Sequence, residues 1–390
     1  MGVAAYLTAA TPPRLAVGGI IVAIPVLAVE QLGDVALGGL LVAAALGPSI
    51  VAAPIVGAVL DRTRRPGALM AGAGLVTAAA FTVAAFLGDV PACVVALALI
   101  VAGVATPFLM GGLSSFVTEG IPEERRAYAI DALAYNLGAV AGPATVAAAA
   151  ALGSARLATL LMAGSALLGA VGTLPLRLRP LAGEPHGSML ATMAAGFRHI
   201  ATHRPLAVIT ASGTVSQFGA GGLAIAAVAL SVERSSGAGA GAVIVTAFAV
   251  GGLLGALANS AYPARLRPEL VMGAGFAATG AFTVLAALDL GTEWTIAAIG
   301  ISGLFTASSA AAMLLLRKQQ SPPSLRSQVF TVGAGLRAAA AAAGAAVAGL
   351  SAGIGAEALI IAIGAVWIVS GAMLVAYPRG APAIDGPVVE

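Results

Sequence analysis

The chain has 390 residues, of which 59% are hydrophobic and only 9% are charged, with a net charge of +3. A soluble domain carries about 25% charged residues, and no soluble fold of this size hides so much apolar surface. The composition therefore excludes a soluble enzyme or binding module and predicts a polytopic, all-α membrane protein. A pI near 9.4 does not point to nucleic acid, because the basic residues are spread over short loops rather than gathered in a patch. The single cysteine, Cys93, excludes an internal disulfide and reads as a small buried apolar residue. No cleavage site follows the first apolar run, which is expected to be an uncleaved spanning helix. Arginine outnumbers lysine eighteen to one amid heavy Ala and Gly use, a composition that suggests a GC-rich bacterial source.

A membrane span takes about 20 apolar residues. Twelve runs meet that length, at about 15–32, 37–60, 68–87, 91–118, 129–152, 156–176, 206–231, 240–262, 270–288, 294–316, 328–351 and 356–377. With the N-terminus inside, 16 of the 19 Arg and Lys residues fall in inner segments, Arg14 and Arg317 among them. Only Arg156 and Arg234 fall outside, and Arg337 lies within a span. That bias predicts both termini on the cytoplasmic side. The domains read as an N-terminal six-helix bundle (1–176), a linker (177–205), a C-terminal six-helix bundle (206–377) and a cytoplasmic tail (378–390). Within the linker, Ser188 to His203 reads as an amphipathic surface helix, with Met189, Met193, Phe197 and Ile200 on one face.

Between the second and third runs stands Gly57-Ala-Val-Leu-Asp61-Arg62-Thr-Arg64-Arg65-Pro66. Charges this dense cannot remain in hydrocarbon, so the stretch is a turn at the membrane surface. Its order of residues resembles the signature loop of the major facilitator superfamily at Gly57, Asp61, Arg62 and Arg65, with Pro66 in place of the last basic residue. The two halves are also related in sequence. A shift of 200 residues lays Ile121 to Arg126 on Ser321 to Arg326 and Thr106 on Thr306, and a shift of 198 lays Gly57 to Arg62 on Gly255 to Ser260. The second copy has lost its charges, with Asn259 and Ser260 opposite Asp61 and Arg62. Parallel six-helix repeats around a midplane site are the architecture this resemblance implies.

The resemblance also implies a cytoplasmic latch. Asp61 would sit against the N-terminus of span 11 and favour the outward-open state, while Arg62 or Arg65 would reach Glu119. The bland alternative makes these residues topology anchors. Gly138-x-x-x-Gly142-Pro143 in span 5 resembles a motif of the exporter branch, and small residues at this spacing equally serve close helix packing. Asp131 shares a stripe with Tyr128, Tyr135, Gly138 and Gly142. It reads either as a proton-coupling acid or as an interfacial acid paired with Arg125 or Arg126. Arg337 lies eleven residues past Arg326, about 16 Å along a helix. It cannot shed its proton, so it faces a water-filled cavity, an acid or helix carbonyls, which leaves a substrate or coupling role or a structural ion pair with an acid of span 2 or span 5. On the 200-residue register it corresponds to Leu137, beside Asn136. Thr210, Thr214, Gln217 and Gly221 make one face of span 7, and Gln217 is its strongest cavity candidate. Ser302, Thr306 and Ser309 make a milder face of span 10.

No catalytic constellation, nucleotide loop or metal-ligand spacing appears, and no cofactor is expected; His199 and His203 lack a third ligand. Span 4 lacks the arginine that many proton-coupled exporters of this superfamily carry there. The expected function is secondary transport of a small molecule across a bacterial plasma membrane by alternating access. The leading reading is proton-driven export of amphiphilic or hydrophobic compounds by a monomer. The second is uptake of a polar or anionic metabolite, and a non-transporting sensor or assembly partner comes third.

Overall fold

A computed structural model describes residues 2–121, 123–176, 178, 189–234, 236–261, 266–322 and 325–378. Among these residues, twelve helices are long and apolar enough to cross a membrane. Spans 1 to 6 are Val3–Leu32, Val35–Gly57, Pro66–Ala85, Ala92–Gly112, Arg126–Ala151 and Ala155–Thr173. Spans 7 to 12 are Arg204–Glu233, Ala238–Ala261, Pro268–Leu285, Thr292–Gln319, Gln328–Leu350 and Ala356–Ala376. "Inner" denotes below the ends that carry most of the arginines.

Span 1 begins at Val3, not near residue 15, so Arg14 is not a loop residue. The helix runs through both Pro12 and Pro13. Spanning helices tolerate proline because neighbouring groups satisfy the freed carbonyls. Three spans are interrupted. Span 2 breaks at Gly47-Pro48, between Val35–Leu46 and Ser49–Arg62. Span 4 passes at Pro107 into a π-helical turn, Phe108–Gly112. Span 10 is two helices, Thr292–Leu304 and Thr306–Gln319, meeting at Phe305. The breaks in spans 4 and 10 fall at Pro107 and at Phe305.

The helix at Met189–Thr202 is present, but part of its apolar face meets protein rather than lipid. Ile200 packs with Leu206, Val329 and Val332, and Gly196 lies against Gln328. Phe197 is exposed, while the side chains of Met189 and Met193 lie outside the described set. Cys93 is exposed, not buried.

The chain divides into two compact units. The first holds 1–183 together with Gly222–Thr246 and Ala345–Ala356, which are the outer parts of spans 7, 8 and 11. The second holds the remainder, including the inner parts of spans 7 and 11. Within unit 1, backbones meet directly at glycines. A Cβ on Gly18 would lie 3.0 Å from Gly138 O, and one on Gly142 would lie 2.5 Å from Gly19 N and 2.7 Å from Leu15 O. Unit 2 repeats this contact between spans 7 and 11, where Gly221 lies against Ala341 O and Gly344 against Phe218 O. At the outer ends, Glu30 Oε2 accepts from the Ala155 amide at 2.9 Å, and Glu233 Oε1 accepts from the Ala356 amide at 2.8 Å. A carboxylate at one helix end thus caps the start of another, where the dipole favours an anion.

These contacts set the register between halves. Glu30 to Glu233, Gly18 to Gly221, Leu15 to Phe218 and Gly138 to Ala341 are each a shift of 203, while Gly142 to Gly344 is 202 and Ala155 to Ala356 is 201. Inside spans 5 and 11 the shift is therefore 202 or 203 rather than the 200 read from the loops, and Arg337 falls on Tyr135 or Ala134 rather than on Leu137.

Unit 1 also joins span 2 to span 11 at their outer ends. A Cβ on Gly39 would lie 2.6 Å from Ala345 O and 2.7 Å from Gly349 Cα. Ala345 is fully buried there. Gly39→Leu should force this seam apart. With a single cysteine at Ala345 in a Cys93→Ser background, Gly39→Leu is expected to raise labelling by an impermeant thiol reagent added outside. Unchanged labelling would show that the seam does not depend on glycine.

Candidate functional site

The most developed polar cluster lies in the inner half of unit 1. Arg14, only 2% exposed, reaches from span 1 to span 5. Its Nη2 donates to Asp131 Oδ1 at 2.5 Å and to Ser114 Oγ at 2.9 Å, and Nη1 donates to the Asp131 carbonyl at 3.0 Å. The Tyr6 hydroxyl also donates to Asp131 Oδ1, as does Ser114 Oγ at 3.1 Å. The Arg14 guanidinium lies 3.7 Å from the centroid of Tyr135, close enough for a cation–π contact. One carboxylate thus gathers three donors from distant parts of the chain.

The stripe read on span 5 is real from Asp131 to Gly142, and it faces span 1. Its ion-pair partner among the described side chains is Arg14, not Arg126, while the side chain of Arg125 lies outside the described set; Tyr128 is more than half exposed. Gly138 and Gly142 supply the close approach that brings Arg14 beside Asp131. A Cβ on Gly138 would lie 2.7 Å from Arg14 Cβ, and Pro143 lies within the same helix. Asn136 is half-buried and its amide donates to the Ala132 carbonyl at 2.9 Å, so it serves its own helix. Thr106, Thr214, Thr306 and Ser309 do the same. Ser302 instead ties span 10 to span 9, donating to the Thr279 carbonyl at 2.9 Å. Gln217 is half-buried. By the shift of 203 it stands where Arg14 stands in the first half.

In unit 2 the ionic pattern changes. Arg337 of span 11 is half-buried and its Nε has no hydrogen-bond partner. Near it lies a residue that loop-charge counting had treated as an inner anchor. Arg317 of span 10 is 2% exposed, and neither its Nε nor its Nη2 has a partner. A Cβ on Gly333, one turn before Arg337, would lie 2.9 Å from Arg317 Cζ. Neither arginine forms an ion pair with a described carboxylate. One sequence signal pointed to this: residues 294–356 contain Arg317, Lys318, Arg326 and Arg337 and no Asp or Glu.

Below this pair, Gln320 Oε1 lies 2.9 Å from His203 Nε2, and His199 stacks on His203 with centroids 5.4 Å apart. Burial, then the charge of Glu269, pushes the Tyr377 phenol above its usual range, while its hydrogen bond with Gln320 opposes the shift. Among the described residues no cluster of His, Cys, Asp and Glu forms a metal site. Of the latch residues, the side chains of Asp61, Arg62 and Glu119 lie outside the described set. Arg65 is exposed, with its amide on Thr63 Oγ1 at 3.2 Å, and Gly57 faces open space. At the outer side, Arg156 pairs with Asp89 at 2.5 Å.

Removing one partner of a buried ion pair leaves the other charge uncompensated, at a cost of about 3–5 kcal/mol. Asp131→Asn should therefore destabilise the purified protein by about that amount, with Arg14 left unpaired. The double variant Arg14→Met, Asp131→Leu should recover most of the loss. Thermal unfolding in detergent tests this; a single variant as stable as the parent would refute the pairing.

Comparison with known proteins agrees with this architecture. The model of the Major Facilitator Superfamily matches residues 13–223. No curated protein sequence matches. Among solved structures, the nucleoside transporter NupG in a point-mutant form is similar at a TM-score of 0.82 and 13% identity, covering 97% of this chain and 100% of that one. A bacterial homolog of the human lysosomal transporter Spinster, inward-facing and unoccupied, gives 0.75 and 13%, covering 96% of each chain. A POT family transporter bound to a thioalcohol-conjugated peptide gives 0.73 and 14%, covering 96% and 95%.

Proposed function

Since the chain belongs to the major facilitator superfamily, we propose that it is a secondary transporter that moves a small molecule across a bacterial plasma membrane by alternating access. The bundles at 1–176 and 206–377 exchange access to a site near the midplane, both termini are cytoplasmic, and the working unit is a monomer. The direction is export and the driving ion is the proton. The observation that carries the coupling is the buried Arg14–Asp131 pair. An acid joined to a fixed cation across two spans offers two states: paired, or protonated with the arginine released. Arginine keeps its charge in both, so each proton taken up changes what Arg14 must bind. Support for export is the exporter-like Gly138 to Pro143 stretch, here used to press span 5 onto span 1. The Asp61 loop remains a proposed latch.

Arg337, without a carboxylate partner, favours a second reading, uptake of a polar or anionic metabolite. One comparison separates the two. Cells lacking the protein should retain more of some toxic amphiphile and become more sensitive to it. A broad compound panel without any shift, together with lost uptake of a metabolite, would favour import. The variant Arg14→Gln, Asp131→Asn should assemble yet transport at a rate independent of an imposed proton gradient. Preserved gradient dependence would remove Asp131 from coupling.

A further inference from the structure

The two halves solve the same electrostatic problem differently. In the first, Ser114 and Arg14 surround the carboxylate of Asp131. The shift of 203 lays Arg14 on Gln217, Ser114 on Arg317 and Asp131 on Ala334. Arg317 indeed meets span 11 at Gly333, beside Ala334, as Ser114 meets span 5 at Asp131. In the second half Arg317 thus reaches span 11 next to Ala334, a methyl where the first half has an acid, and Arg337 follows on the same helix three residues after Ala334. Among the described residues neither arginine forms an ion pair with a carboxylate, and Arg317 Nε and Nη2 and Arg337 Nε have no hydrogen-bond partner. Charges taken out of water without a counter-charge are costly unless an anion joins them.

We propose that Arg317 and Arg337 bind the carboxylate or phosphate group of a small organic anion that enters from the inner side. Planar guanidinium groups match either oxyanion, two donors at a time. Gly333 and Gly213 meet the guanidinium of Arg317 without side chains, their would-be Cβ positions lying 2.9 Å from its Cζ and 3.6 Å from its Nη2. The ligand class is a compact head with one or two negative charges on an apolar body. That the ligand is also the cargo rests on the transport reading above; binding does not.

The test uses the purified full chain in detergent and in nanodiscs of phosphatidylcholine or phosphatidylglycerol. Sodium benzoate and sodium phosphate should raise the melting temperature over sodium chloride at matched ionic strength. Arg317→Gln and Arg337→Gln should each weaken the apparent affinity at least tenfold. Without added anion, Arg317→Met should melt higher than the parent, because a buried charge without a counter-charge is removed. An arginine with a purely structural partner would give the opposite sign. The wild-type titration stands even if a variant fails to fold. The proposal falls if neither anion shifts melting, if both Gln variants bind like the parent, or if only phosphatidylglycerol stabilises, which would assign the pair to a lipid headgroup. Anion-specific stabilisation without exchange of labelled benzoate in proteoliposomes would keep the site and reject the cargo.

Discussion

A guanidinium group inside a membrane has to be answered by something. Arginine does not titrate in proteins, and a charge near the bilayer centre costs about 2.5–3.5 kcal/mol even on the mildest scale. Arg14 is answered from within, by Asp131, two hydroxyls and an aromatic face. Arg317 and Arg337 receive no such answer from the described residues. The contrast between halves that otherwise share a register points to specialisation: one side keeps an internal ion pair, the other keeps an ionic appetite. With an inside-negative potential, about 2.3 kcal/mol per charge per 100 mV favours an anion leaving the cell, which makes export of anionic amphiphiles the less demanding direction.

The ion pairs depend on backbone proximity. Gly138 and Gly142 let span 5 approach span 1 until Cβ positions would overlap main-chain atoms. Only that approach brings Asp131 within reach of a side chain anchored at residue 14. The same device recurs where Gly221 and Gly344 join spans 7 and 11, and where Gly280 meets Gly364. In lipid no hydrophobic force pulls helices together, so van der Waals contact at small residues carries the association. The abundance of glycine, 51 residues, is thus a packing requirement of the fold.

Much of the architecture was legible in the sequence, because hydropathy and arginine asymmetry are strong, local signals. The twelve spans fall close to where the apolar runs lie. The site was less legible, for reasons tied to particular residues. Span 1 starts at Val3, ahead of the apolar run that begins near residue 15, so Arg14 looked like a loop residue. Arg317 sits two residues from the inner end of span 10, where a buried cation and a topology anchor read alike. Asp131 was visible as an acid in a span, but its partner is 117 residues away and no spacing rule reaches that far. The halves' register also drifts between loops and spans, so a shift of 200 hid the relation between Ser114 and Arg317 that a shift of 203 exposes.

The interruptions of spans 4 and 10 bear on how such a machine would move. Ser114 lies just beyond the π-helical turn at Phe108–Gly112, and Arg317 rides on the segment Thr306–Gln319 below the break at Phe305. Each of these side chains is therefore carried on a short arm jointed to the rest of its helix. Bending at one joint would withdraw Arg317 from span 11 without any tilt of a whole bundle, and release of the proposed anion would then be a local act of the fourteen residues of that arm.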